Sequence, residues 1–295
     1  MLKISPKTIN IITNHHNKVG MHRDRLLLNY VLKELGHKTT NVHYQGKTCP
    51  RADINIFVEP YEFTFPYFKK AKKNWVIANL ECFHSGLEKF PDLLFLARTR
   101  HSYDVLNEKG LQVVYVGFYT TDFYDPKVKR EKKFIHIMGQ SPFKNTRAVL
   151  DAWQKLDYPL TLIGSIPIKT SRNVKTIQWV SDELMKKLQN NHLFHLCPSS
   201  YEGFGHYIHE AHGVGAVVIS TDAPPMNELA SALLIKPRIP EYNIHHPSDI
   251  IKAAHTCMAM SHNEIMKHSQ QARDFFMPQR NQFKERMKTL LRHGH

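Results

Sequence analysis

Short β-branched runs alternate with helix-length spans along this chain, and that alternation restricts it to an α/β fold. Thr8–Thr13 (Thr-Ile-Asn-Ile-Ile-Thr) reads as a first strand. The span after it places Leu27, Leu28, Val31, Leu32 and Leu35 on one helical face, with Gly36 as a stop. Residues 42–44, 53–59, 75–80 and 113–116 are further strands, 92–97 is an element of either type, and 102–109 is a helix closed by Gly110. Strands separated by helices join into a parallel sheet through crossover units.

Between residues 120 and 133 the composition shifts to a charged, proline-containing run, which reads as a domain boundary. The alternation then restarts, with strands over 134–138, 160–163, 174–179, 193–196 and 216–220. Helices are expected over 146–155, 182–189, 248–260 and 282–291. The expected organisation is an N-terminal Rossmann-like domain over 1–125, a second over 133–277, and a C-terminal helix over 278–295 that crosses back to the first. Two such domains facing each other across a cleft place the ligand at the carboxyl ends of the strands.

The chain has 295 residues, enough for two ordinary domains, and 40 Lys and Arg against 26 Asp and Glu, a net charge of +14. That excess calls for an anionic partner: a nucleotide, nucleic acid, an acidic glycan or a membrane surface. Cys49, Cys82, Cys197 and Cys257 lack disulfide-framework or metal spacing and read as free thiols of a reducing compartment. The N-terminus carries charge and proline where a signal peptide is apolar, and no apolar run approaches a membrane span. A cytoplasmic protein, at most peripheral at a membrane, is expected.

The stretch from Cys197 to Glu228 holds the chemistry. Gly203 and Gly205 lack a Cβ and stand where a helix begins, so backbone N–H groups and the helix dipole face any anion there. Glu202 and Glu210 stand eight positions apart across that turn. A carboxylate at Glu210 can accept two hydroxyl hydrogen bonds, as from a ribose diol. Taken alone, this is also an ordinary strand-to-helix turn with a solvated acid.

With its neighbours it resembles a known family. Pro198-Ser-Ser-Tyr-Glu202-Gly-Phe-Gly205, followed by Glu210, resembles the Glu-x7-Glu signature of the retaining GT-B glycosyltransferases of family four. Phe134-Ile-His-Ile-Met-Gly139-Gln-Ser-Pro-Phe-Lys144-Asn-Thr resembles the first strand and phosphate-binding loop of that family's C-terminal domain. Val180-Ser-Asp-Glu-Leu resembles a strand-to-helix turn of the same domain, and Thr221-Asp-Ala-Pro-Pro-Met-Asn-Glu228 its closing loop. The N-terminal half matches more weakly, through Asn79-Leu-Glu-Cys-Phe-His84, Ala97-Arg-Thr-Arg and Val116-Gly-Phe.

The resemblance implies a GT-B fold and transfer, with retention, of a sugar from a nucleotide-diphosphate sugar to a hydroxyl of a glycan, lipid-linked or other acceptor. It implies that Glu210 holds the ribose, and that Glu202 contacts the sugar and the charge developing at its anomeric carbon. Lys144 would neutralise the departing diphosphate. Gly139, Ser141, Gly203, Phe204, Gly205 and His206 would line the phosphates and sugar, Val180 the nucleobase, and Gly20 a loop of the first domain. His84 is the residue chosen to face the reacting sugar, with Glu81 its competitor. No Asp-x-Asp stands ready to hold a divalent ion, so no metal and no cofactor are expected. One departure is Gln140, where the family often has an arginine; Arg147, one helical turn past Lys144, is the candidate replacement.

Other readings stand beside this one. His206, His209 and His212 recur every third residue, but such steps drift around a helix and do not converge on a metal. His15-His16 and His245-His246 read as loop residues. Lysines at 69–73 and 127–133 read as solvated faces, although the first run, beside Tyr67, Phe68 and Trp75, also suits an anionic acceptor or membrane. The rivals from other classes are a basic nucleic-acid-binding protein, a glycosyltransferase of modified DNA bases, and an inactive sugar-binding module. No zinc-finger spacing or RNP-like strand supports nucleic acid.

Overall fold

A computed structural model describes residues 5–16, 20–59, 62–80, 83, 85–139, 141–164, 170–229 and 233–293. The chain divides into two units: unit 1 is Met1–Thr120 with Gln279–His295, and unit 2 is Thr121–Pro278. Glu81, Cys82, His84 and Gln140 lie outside the described residues.

Unit 1 begins with β1 (Thr8–Thr13), α1 (Gly20–Glu34), β2 (Lys38–His43), β3 (Ala52–Val58), β4 (Ala71–Ile77), β5 (Leu93–Ala97), α2 (Arg100–Glu108) and β6 (Val113–Tyr115). The strands pair in parallel in the order β2-β1-β3-β4-β5-β6. Central strands of such a sheet are covered on both faces, which is why β5 (Leu-Leu-Phe-Leu-Ala) is buried throughout and shows no alternation. A polar seam crosses this apolar interior. Asn10, Asn55 and Asn74 are register partners on β1, β3 and β4, linked by amide hydrogen bonds of 2.9 and 3.0 Å.

Unit 2 contains β7 (Glu131–Ile137), α3 (Thr146–Trp153), β8 (Leu160–Ile163), β9 (Val174–Ile177), α4 (Asp182–Asn191), β10 (His192–Cys197), α5 (His206–Gly213) and β11 (Val217–Thr221). α6 (Met226–Leu229), β12 (Leu233–Ile235), α7 (Pro247–Ala259) and α8 (His262–Phe276) follow. Its sheet runs β12-β11-β10-β7-β8-β9, all parallel. Numbered within the unit and read from β9, that is the Rossmann order, which reverses between β7 and β10. Loops leaving two strands that diverge at such a point open a crevice between them. Its core gathers Phe134, Trp153, Phe194 and Ile250, all fully or almost fully buried.

The last helix, α9 (Gln279–His293), belongs to unit 1. Phe283 meets Phe118 edge to face at 5.0 Å, and Arg280 and Lys284 both bridge to Glu34, at 2.9 and 2.7 Å.

Several sequence-based expectations are revised. The charged run before residue 134 is not wholly a linker, because Glu131, Lys132 and Lys133 already form the start of β7. Likewise β4 starts at Ala71, inside the lysine run, where Lys72 bridges to Asp53 at 2.9 Å. Residues 92–97 resolve as a strand, and β2 extends back from residue 42 to Lys38. Helix α8 was not anticipated. Two of its four buried positions, Ser269 and Ala272, are small or polar, so its apolar period is weak, although a capping box of Ser261 and Glu264 marks its start. Among the described residues no helix is long and apolar enough to cross a membrane.

Candidate functional site

The loop after β7 and the loop after β10 flank the reversal point of unit 2, and the best-placed charged side chains come from these two loops. Gly139 follows β7 with φ +56°, a left-handed conformation that suits glycine. Ser141 then caps a short 3-10 turn, Pro142–Lys144, its Oγ accepting from the Phe143 amide at 3.3 Å. Asn145, left-handed at φ 50°, ends the turn and donates from Nδ2 to the carbonyls of Pro198 (2.7 Å) and Asn243 (2.9 Å). The Ser200 amide donates to the Phe143 carbonyl at 2.7 Å. The two loops are thus pinned to each other by backbone and amide bonds before any charge is counted.

That pinning delivers Lys144 to Glu202. The Lys144 ammonium donates to Glu202 Oε1, with both side chains largely buried, at 13% and 11% exposure. It also lies 3.9 Å from the centre of the Tyr207 ring, a cation–π contact. Ser199 Oγ donates to Glu202 Oε1 at 2.5 Å, so its bond to the Tyr207 hydroxyl at 2.6 Å is one in which Tyr207 donates. Burial holds the Tyr207 hydroxyl far above its ordinary pKa, which keeps it a donor. Behind Ser199, Thr221 Oγ1 donates to its carbonyl at 2.6 Å and accepts from His245 Nε2 at 2.7 Å. Burial lowers His245 to about 4, so the ring is neutral at pH 7.

Gly205 sits at the start of α5 with φ 77° and ψ 52° and no side chain capping the helix. A Cβ there would stand 3.0 Å from Leu229 Cδ1 and 3.3 Å from Ile208 Cδ1, so glycine is needed for both conformation and space. The neighbouring Phe204 ring turns inward and stacks on His209 at 4.1 Å, leaving its backbone as the part that can meet a ligand. Gly203 and His206 are half-buried on either side.

The remaining expected residues are not gathered with Lys144 and Glu202. Glu210 lies on α5 only 2% exposed, its Oε2 accepting from Gln189 of α4 at 2.9 Å. Val180 is half-buried, one residue before Ser181, whose hydroxyl caps α4. Gly20 opens α1 in unit 1. Arg147 does not join Lys144; its Nε bridges to Asp151 at 3.0 Å and its side chain is 73% exposed. His209 and His212 are buried beside Phe275, and among the described residues no group of three or more His, Cys, Asp or Glu is placed to hold a metal ion. Asn145, Ser199, Tyr207 and Thr221 are the members that sequence reasoning missed. Ser199 stands three residues before Glu202, the one local signal that could have found it. A cavity of about 490 Å³ at Lys236, Arg238, Asp249 and Lys252 includes none of these residues.

Residues 122–267 match the family described as Glycosyl transferases group 1. Among solved structures, Anabaena HepE in complex with UDP and glucose matches with a TM-score of 0.71 at 13% identity, over 97% of this chain and 99% of that one. Sucrose-phosphate synthase from Thermosynechococcus elongatus matches at 0.70 and 12%, over 97% and 98%. The pneumococcal O-GlcNAc transferase GtfA, in complex with UDP and GlcNAc, matches at 0.59 and 15%, over 81% of this chain. The chain spans only 56% of that transferase and 57% of the matching chain of a GtfA/B complex. No curated protein matches the sequence significantly. At such identities the structural likeness speaks to fold, while the family match speaks to unit 2. The chain has the two-sheet GT-B glycosyltransferase fold, and its residues 122–267 match the glycosyl transferases group 1 family.

Proposed function

We propose that this chain is a retaining glycosyltransferase that moves a sugar from a nucleotide-diphosphate sugar to a hydroxyl acceptor without a metal ion. The observation that carries the reading is the Lys144–Glu202 pair at the reversal point of a Rossmann-type sheet. Cleaving the bond from anomeric carbon to diphosphate builds negative charge on the leaving group and positive charge on the sugar. A lysine and a carboxylate fixed side by side can meet both, and a largely water-excluded setting strengthens each interaction.

In this reading Lys144 faces the diphosphate and Glu202 the sugar. The backbone at Gly139, Ser141, Gly203, Phe204, Gly205 and His206 supplies donors to the phosphates and sugar hydroxyls. Glu210, steadied by Gln189, takes the ribose, and Val180 borders the base. Gly20 serves the loop before α1, and His84 remains the proposed residue of unit 1 opposite the sugar. The UDP complexes of HepE and the pneumococcal transferase make UDP-sugars the first donors to try.

A thermal-shift screen of UDP-, GDP- and ADP-sugars, followed by a transfer assay with and without chelator, tests the reading. One donor class should raise the melting temperature with its concentration, and transfer should persist in chelator. If folded protein responds to none of them, the enzyme assignment is wrong; a strict divalent requirement would remove only the metal-free part.

A further inference from the structure

Unit 1 holds a second cluster of chemistry-bearing side chains, at the carboxyl ends of β1 and β2. Thr13 and His43 are register partners there; His15 and His16 follow β1, and α1 adds His22 and Arg25. The His15 and His16 rings meet His43 edge to face, at 5.1 and 4.8 Å.

Hydrogen bonding places the protons. His43 Nδ1 accepts from the Gln45 amide at 3.2 Å, so the neutral ring carries its proton on Nε2. His22 Nδ1 lies 2.9 Å from Arg25 Nη2; a guanidinium only donates, so this proton too sits on Nε2. Three buried nitrogens of the cluster, His15 Nε2, Arg25 Nε and His43 Nε2, have no hydrogen-bond partner among the described residues. At least two of them are N–H donors without an acceptor, an arrangement native interiors avoid.

The charges tell the same story. His15 is lowered by burial first and then by Arg25, His43, His16 and His22, every one a cation or a group that becomes one. His43 is lowered by burial and by His16. The first turn of α1 contains no acid, and Asp24 on that helix is bound to Arg98 at 2.9 Å. Among the described residues, these three nitrogens are supplied with no acceptor, and the Arg25 guanidinium adds a fixed positive charge beside them.

We propose that His15, His22, Arg25 and His43 bind the phosphate group of a phosphorylated sugar acceptor. A phosphate offers three strong acceptor oxygens to donors arriving from a loop, a helix and a strand end. The identity of the ligand as acceptor rests on the glycosyltransferase reading; the phosphate site itself does not. Binding favours the protonated forms of His15 and His43, so affinity falls as pH rises, by up to about tenfold per pH unit for each of the two rings that must be charged.

The test is calorimetric titration of the full chain with glucose 6-phosphate at pH 6 and pH 8. Glucose serves as neutral control, glucuronate as carboxylate control and UDP as competitor. Glucose 6-phosphate should bind at pH 6 and at least about tenfold more weakly at pH 8. Arg25→Gln and His43→Gln, on different elements, should each weaken binding by about tenfold or more, whereas Lys144→Ala should leave it unchanged. No binding at pH 6, equal binding of glucose or glucuronate, survival in both variants, or displacement by UDP would each overturn the site. Because the readout needs no donor and no transfer, it fails independently of the enzyme assignment: a silent donor screen with phosphate binding intact sinks only that assignment.

Discussion

At the carboxyl end of its sheet, unit 2 sets a cation against an anion, whereas unit 1 sets N–H donors beside one another. Lys144 already has Glu202, and Glu202 has Ser199; His15, Arg25 and His43 have buried nitrogens that meet nothing within the described residues. The interiors differ in the opposite sense. Unit 1 buries a paired charge, Arg98 on Asp24, and a seam of asparagines, while unit 2 buries histidines that must stay uncharged. Residue type alone therefore does not identify a ligand site. Unit 2 holds a preassembled ion pair that a ligand would meet, whereas unit 1 holds donors whose acceptor must be brought in.

The contrast breaks most heavily at Arg98. Its side chain and that of Asp24 are 3% and 4% exposed, so removing one partner strands a buried charge. Arg98→Met should cost about 3–5 kcal/mol of stability in urea unfolding. Replacing Asp24 by asparagine in the same chain should recover part of that, and a loss under about 1 kcal/mol would show that water reaches the pair. The sharper test in unit 2 is coupling rather than loss. Lys144→Ala and Glu202→Gln should each slow transfer by about 10²–10³-fold. Because the two side chains touch, the double variant should fall well short of the product of the single effects. Full multiplicativity would mean that they act on different steps.

Much of the fold was legible because buried parallel strands leave a plain signal. Thr8–Thr13 and Leu160–Ile163 were readable to the residue. Helix α8 escaped because Ser269 and Ala272 stand where an apolar stripe was sought. Lys144 and Glu202 were both picked out, but not as a pair. They are 58 positions apart, and they meet only because β10 pairs with β7. Ser199 and Tyr207 contribute through hydroxyl orientations that no spacing encodes. His15 reads as a loop residue and His43 falls inside the expected strand over 42–44, with nothing joining them until β1 and β2 are aligned. Local pattern carried the elements, and topology carried the sites.

Acid should separate the two units. Burial lowers His136 and His245 to about 4, and His195 and His212 to about 3, from an ordinary 6.5. These rings stay neutral in folded unit 2, while the unfolded chain takes up protons below about 6.5. The stability tied to them is complete above that pH and is lost as pH falls toward 4, by about 1.4 kcal/mol per pH unit for each ring. In unit 1, His15, His37 and His43 are also lowered by burial, but His15 and His43 are only half-buried, at the carboxyl ends of β1 and β2 rather than in the sheet core. Hydrogen exchange at stepped pH, corrected for intrinsic rates, should show β10 and β11 losing protection before β1 and β3. Simultaneous loss, or loss in unit 1 first, would erase the distinction.

The smallest effect is expected at Tyr207, and it asks whether the prearranged pair in unit 2 needs its support. The Tyr207 side chain does two things: its ring lies under the Lys144 ammonium, and its hydroxyl donates to Ser199, which in turn donates to Glu202. Tyr207→Phe removes only the second. A hydrogen bond of this kind contributes about 1 kcal/mol net, so kcat should fall only about fivefold, with little change in KM if the bond orients Glu202 in the transition state. Tyr207→Leu removes the ring face as well and should fall further, by about 0.5–2 kcal/mol for the lost cation–π contact. If the two variants are equally impaired, the ring contact contributes nothing and Lys144 is held by Glu202 alone. If Tyr207→Phe instead raises KM and leaves kcat untouched, the network serves ground-state binding, and Glu202 is a positioning residue rather than one that meets developing charge.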